Sequence, residues 1–167
     1  ALTEGEAGLA AVTVRVFTPV QPMLAASAPS VAEALDKAGP GRPVAIEAKL
    51  DGIRIQAHKR GDEVRLYTRS LDEVTDRLPE VVEAVRRIDA ETLIVDGEAL
   101  ALDASGRPRL FQDTASGAAG GLVPVFFDVL LIDDEPLLDL PLVDRIDRLG
   151  EVAPVELMVQ RTITPFP

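Results

Sequence analysis

Residues 47 to 56 read Glu47-Ala48-Lys49-Leu50-Asp51-Gly52-Ile53-Arg54-Ile55-Gln56, and how this stretch is understood decides the fold of the 167-residue chain. A lysine stands between two acids, just ahead of a glycine. Its amine becomes a usable nucleophile when desolvation or a nearby cation pulls its pKa down, and Ala48, Leu50, Ile53 and Arg54 are the neighbours that would do so. Gly52 would let a bulky ligand approach the backbone closely. A second reading fits the same residues. Asp51-Gly52 between alternating residues is a common short turn signal, so the stretch also describes a β-hairpin with Lys49 on a solvated strand.

Downstream, the alternation continues. Ile53, Ile55 and Ala57 share one face while Arg54, Gln56 and His58 share the other; Lys59-Arg60-Gly61-Asp62 turns the chain, and Val64 and Leu66 answer on the return strand. A hairpin with one buried face is expected, closed by Tyr67-Thr68-Arg69-Ser70. Arg54, Lys59, Arg60, Arg65, Arg69 and His58 make this region locally basic, either as a binding face or as a solvated one. Leu78, Val81, Val82, Val85 and Ile88 follow at helical spacing behind Pro79. Leu93 to Leu100 is then an apolar strand interrupted by Asp96, Gly97 and Glu98; a buried strand does not tolerate unpartnered carboxylates, so both acids should face a polar site or the strand end. Val123 to Leu131 is another apolar strand, with Phe126 a core residue by default. Asp133-Asp134-Glu135 reads as a solvated acidic turn, and Pro141 opens a helix carrying Leu142, Ile146 and Leu149 up to Gly150.

Upstream, residues 1–18 read as a loosely held arm containing the strand-like run Val12 to Phe17, and Pro19 and Pro22 end it. Ser30-Val31-Ala32-Glu33 is a capping box opening a helix to Lys37, with apolar positions suited to packing on a sheet. The run 114–121 of Ser, Gly and Ala reads as a flexible loop. Val155 to Thr164 offers a last strand.

Composition bounds the possibilities. With 47% hydrophobic and 27% charged residues this is an ordinary globular chain with one domain and short appendages. No apolar run reaches the length of a membrane span, no signal peptide is recognisable, and there is no cysteine, so no membrane association and a cytoplasmic setting are expected. A formal net charge of -11 argues against coating nucleic acid through a general positive field. His58 is the single histidine, which excludes a multi-histidine metal site within the chain.

Four short motifs occur in sequence: Lys49-Leu50-Asp51-Gly52, Thr68-Arg69-Ser70, Asp96-Gly97-Glu98 and Phe127-Asp128-Val129-Leu130. In that order, and with Glu47 and Arg54 flanking the first, they resemble the signature of the covalent nucleotidyltransferases, the superfamily of ATP-dependent DNA ligases, RNA ligases and mRNA capping enzymes. Over about residues 19 to 163 the chain is most similar to the adenylation domain of an ATP-dependent DNA ligase. Pro22-Met23-Leu24-Ala25 resembles the segment that opens that domain.

The resemblance implies an α/β (α+β) fold of mostly antiparallel sheets with flanking helices, the ATP-grasp-like ligase nucleotidyltransferase domain truncated at its C-terminus. Residues 1–18 would be the arm and 19–167 a partial adenylation domain. It implies ATP as the cofactor, carried as AMP on Lys49, with Mg²⁺ offsetting phosphate charge and Glu98 in the ribose and metal region. Glu47 would recognise the adenine edge and Phe127 its face; Arg54 and Glu98 would meet sugar and phosphate, and Arg69 the ribose or a DNA phosphate, with Asp51 and Gly52 completing the nucleotide motif. The implied partner is nicked double-stranded DNA, for a monomer. A Glu-Gly-x-x-x-Lys motif, a later lysine pair and an OB domain belong to the family but not to this sequence, which implies a fragment. RNA ligase or capping chemistry, or a non-catalytic β-rich binding module, are the alternatives.

Overall fold

The structure, a computed structural model, describes residues 13–39, 41–103, 107 and 121–164. The alternation from Ile53 becomes β2 (Ile53–Arg60), which turns into β3 (Glu63–Thr68). Gly61 in that turn has φ +56°, the left-handed conformation that a two-residue hairpin connection needs. On its other edge β2 pairs with β4 (Thr92–Ala101), and β4 pairs with β5 (Leu122–Ile132). With β6 (Glu135–Pro136) they form an antiparallel sheet ordered β3-β2-β4-β5-β6. Asp133 and Asp134 make the β5–β6 turn in left-handed conformations, φ 47° and 63°. Asp133 also accepts from the backbone of Glu91 (2.7 Å) and Thr92 (3.2 Å), so the acidic turn anchors the start of β4 as well as meeting solvent.

A second sheet joins β1 (Val44–Glu47) to β7 (Arg161–Thr164), antiparallel. Asp51-Gly52 is therefore no hairpin turn: β1 and β2 belong to different sheets, and residues 48–52 are the crossover between them. The sequence alternates on both sides of this crossover, which is why a continuous hairpin looked possible.

One face of the large sheet carries the main core. Ile55, Ala57, Leu66, Leu93, Val95 and Phe126 pack there against Val81 and Val85 of α2 (Pro79–Arg86) and Leu149 of α3 (Leu142–Val152). Lys59 points the same way. It is buried, and its ammonium donates to the carbonyls of Arg86 (3.2 Å) and Ile88, just where the α2 dipole is negative. α3 runs past Gly150 to Val152, and only Leu149 of its apolar residues is buried. The helix α1 (Val31–Ala38) forms, with Ser30 Oγ accepting from Glu33 N at 3.2 Å, but none of its residues is buried. The expectation that it packs on a sheet is not met, because α2 and α3 already cover that face.

The opposite face was open to two readings, a binding face or a solvated one. It is covered instead by residues 13–20, so the arm is not loose over its described part: Val14 and Val16 are buried against Ile94, Leu130 and Leu131. Gln56 and His58 are buried beneath it. The basic cluster consequently forms no continuous surface. Arg65 pairs with Glu63 and, like Arg60, lies over the ring of Phe17, at 4.6 and 5.6 Å, while Lys59 caps α2. The 114–121 loop, apart from Gly121, and residues 1–12 of the arm lie outside the described residues.

His58 Nδ1 accepts from Phe17 N at 2.8 Å, so the proton is on Nε2, which donates to Gln56 Oε1 at 3.0 Å. Burial pushes its pKa from 6.5 down to about 4. The folded protein thus keeps His58 neutral where the unfolded chain protonates it, and stability should fall as pH drops from 6.5 toward 4. Wild type should lose about 2 to 3 kcal/mol more than His58→Gln between pH 7 and 4.5. Urea unfolding at both pH values checks this, and equal losses would contradict it.

Candidate active site

The register of β2 on β4 sets the site. Arg54 is opposite Glu98, Gln56 opposite Asp96 and His58 opposite Ile94, so the polar face of β2 meets two carboxylates set in a buried strand. Arg54 donates to Asp96 Oδ2 at 3.0 Å, and Glu98 Oε1 accepts from Gly52 N at 3.0 Å. Both acids therefore have partners, as their buried strand demands. Burial raises the pKa of Asp96, against the opposing effect of Arg54. The register shifts of β5 on β4, between Ile94 and Val95 and between Asp96 and Gly97, lie beside these acids.

Phe126 is fully buried and Phe127 half-buried at the site, as the strand register requires. Arg54 stacks over the Phe127 ring, 4.7 Å from its centroid, linking β2 to β5 across β4. Arg145 of α3 grips Asp128 with two bonds of 2.7 Å, and this fixes the backbone next to Phe127.

Glu47 ends β1 and is held by Arg161 of β7, whose guanidinium also donates to Phe127 O at 3.2 Å. Arg161 thus ties the small sheet to the large one. It carries no motif; the one sign of it in the sequence was an arginine in the expected last strand.

These elements enclose a cleft of about 520 Å³ lined by residues that include Glu47, Lys49, Arg54, Arg69, Glu98, Phe127, Val159 and Pro22 to Ala25. A shallower depression of about 690 Å³ shares Arg54, Arg69 and Glu98 and adds Gly52. Of the expected site residues, Asp51 alone lines neither; it is exposed on the crossover. Lys49 is exposed too, with Nζ 3.4 Å from Leu50 O, so its apolar sequence neighbours do not desolvate it as expected. Arg69 is exposed, and its guanidinium has no partner among the described residues.

Gly52 is required for a reason other than ligand approach. A Cβ there would lie 2.3 Å from Ala99 O and 2.7 Å from Leu100 Cδ2, so the crossover bearing Lys49 lies directly on the β4 backbone. Gly52→Ala should cost about 1 to 3 kcal/mol and displace the crossover. Thermal unfolding checks the cost; a variant as stable as wild type would contradict this packing.

The sequence family described as "ATP dependent DNA ligase domain" matches residues 22–163. A protein of Streptomyces griseus subsp. griseus named "Probable DNA ligase" is 50% identical over 177 residues, covering 99% of this chain and 34% of that protein. One of Kineococcus radiotolerans with the same name is 50% identical over 171 residues, covering 100% of this chain and 34% of that protein. Among solved structures, "mycobacterial DNA ligase D complexed with ATP and MES" aligns with a TM-score of 0.59 and 25% identity over 72% of this chain and 40% of that one. The chain spans about a third of the length of the curated relatives it matches. With four motif segments gathered around one cleft and a family match over most of its length, the chain belongs to the ATP-dependent DNA ligase domain family.

Proposed function

We propose that this chain is the adenylation part of an ATP-dependent DNA ligase, and that the cleft binds ATP and transfers AMP to Lys49. The carrying observation is that Lys49, Arg54, Arg69, Glu98 and Phe127, drawn from four separate segments, line one cleft. The unprotonated Lys49 Nζ attacks the α-phosphorus; the N–P bond forms as the P–O bond to pyrophosphate breaks, and Nζ gives up its proton. In the parent protein AMP then passes to the 5′-phosphate of a DNA nick, and the 3′-hydroxyl displaces it.

The side-chain roles follow the cleft. Phe127, held by Arg54 on one face and by Arg161 at its carbonyl, presents a rigid aromatic wall to adenine. Glu47 bonds Arg161 through Oε1, leaving Oε2 for the adenine amino group. Arg54 and Arg69 meet phosphate and ribose, Arg69 with its donors uncommitted among the described residues. Gly52 and Asp51 set the path of the Lys49 crossover. For Mg²⁺ the donor set fits an ion held chiefly by phosphates: among the described residues no three metal-binding side chains cluster, and Glu98 offers one carboxylate. Bound there, the ion would neutralise charge on the phosphates. Nicked duplex DNA is the partner of the whole protein, acting as a monomer in cytoplasmic DNA replication, repair or recombination.

Incubation with ATP followed by peptide mapping tests the reading. AMP should appear on Lys49, and Lys49→Ala should abolish it while changing stability by only about 0.5 kcal/mol, because the side chain is exposed. AMP on Lys37 or Lys59 would overturn the assignment. Phe127→Ala should weaken adenine nucleotide binding by about 1 to 3 kcal/mol. Phe126→Ala should instead cost about 3 to 5 kcal/mol of stability. Calorimetry and thermal unfolding separate the two effects, and their exchange would place the wrong phenylalanine in the cleft.

A further inference from the structure

Pro22 to Ala25 form one wall of the cleft, yet among the described residues nothing buries or hydrogen-bonds them. Met23 is 95% and Leu24 79% exposed, and no described residue from Phe17 to Pro43 is buried. A wall without packing of its own takes its position from the nearest anchored point of the chain. That point is the arm just upstream. Val20 N donates to Gln56 Oε1 at 2.9 Å, and Gln56 Nε2 returns a bond to Val20 O at 3.3 Å. Phe17 N donates to His58 Nδ1, Tyr67 Oη donates to Phe17 O at 3.4 Å, and His58 Nε2 donates to Gln56 Oε1. Gln21 Nε2 then reaches Arg69 O at 3.2 Å, at the cleft itself.

The same glutamine faces the other way as well. Gln56 lies opposite Asp96 on β4, which pairs with Arg54, which stacks on Phe127. A polar row, buried at His58, Gln56 and Asp96 and half-exposed at Arg54, therefore runs across the sheet face from the arm to the aromatic wall. Neither Gln56 nor His58 lines the cleft, and both are neutral groups buried where a sheet residue would ordinarily be apolar.

We infer that His58 and Gln56 are positioning residues of the nucleotide cleft, clasping Phe17 and Val20 so that Pro22 to Ala25 and Arg69 stand at the distance a bound nucleotide needs. This rests on the nucleotide reading of the cleft. Loss of the clasp frees the wall without altering Lys49, so it weakens ATP capture and leaves the chemical step intact.

The test measures the rate of AMP transfer to Lys49 against ATP concentration in the full chain. His58→Phe keeps a ring of similar shape but removes both ring nitrogens; His58→Gln keeps an acceptor and a donor. His58→Phe should raise the half-saturating ATP concentration about five- to tenfold, as expected for one lost buried hydrogen bond. The rate at saturation should stay within about twofold of wild type, and His58→Gln should restore the wild-type concentration. Val20→Pro, which deletes a single N–H outside the sheet, should act like His58→Phe and serves if that variant does not fold. Wild-type labelling with unchanged half-saturation in the folded variants overturns the coupling alone. A fall in the saturated rate with unchanged half-saturation also overturns it. A wild-type chain that binds no ATP overturns the nucleotide reading, and the coupling with it.

Discussion

The register of β2 against β4 is the constraint on which the site depends. It sets two carboxylates, Asp96 and Glu98, into the central strand of a sheet that is covered on both faces, and each must find a partner there. Arg54 and the Gly52 amide are the partners. A slip of one residue would turn Arg54 into the apolar core and strand both acids. Asp96 also faces Asp128 across β5, an opposition of like charges that Arg54 balances from one side and Arg145 from the other. Each of these ion pairs also orients an element of the cleft, Arg54 through the Phe127 ring and Arg145 through the backbone beside it. Breaking such a partly buried pair leaves an uncompensated charge, so the demands of folding and of the site fall on the same atoms.

The crossover from β1 to β2 explains why a lysine can stand at the mouth of this arrangement. Residues 48–52 belong to neither sheet, so Lys49 has no strand neighbours to bury it. They are nevertheless fixed, at one end by the approach of Gly52 to Ala99 and at the other by Arg161 on Glu47. The amine is held at its base and free at its tip. That combination suits the role proposed for Lys49, reaching a phosphorus atom and then carrying a nucleotide.

Much of this was legible in the sequence. Strands β2 to β5, α2 and the core place of Phe126 followed from periodicity, while the meeting of Glu47, Lys49, Arg54, Arg69, Glu98 and Phe127 followed from motifs that resemble a known family; the expected last strand from Val155 is a single helical turn at Val155–Leu157 and a strand only over Arg161–Thr164. What escaped was non-local. Arg161 lies 114 residues from Glu47, in a strand whose partner no local pattern reveals. Gln56 and His58 looked like a solvated face because alternation says which residues share a side and not what covers it; the arm covers them. The apolar stripe of α1 likewise promised a partner that the described residues do not supply. Gly52 was rightly singled out as a place of close approach, but the approaching group is the β4 backbone.

Adenine stacked on Phe127 should place the α-phosphorus at Lys49. A crystal structure of the chain after incubation with ATP tests it most directly. Density should run continuously from Lys49 Nζ to the phosphorus of AMP, with the adenine ring stacked on Phe127 and its amino edge at Glu47. A nucleotide lying outside the cleft, or one bonded through another lysine, would contradict it.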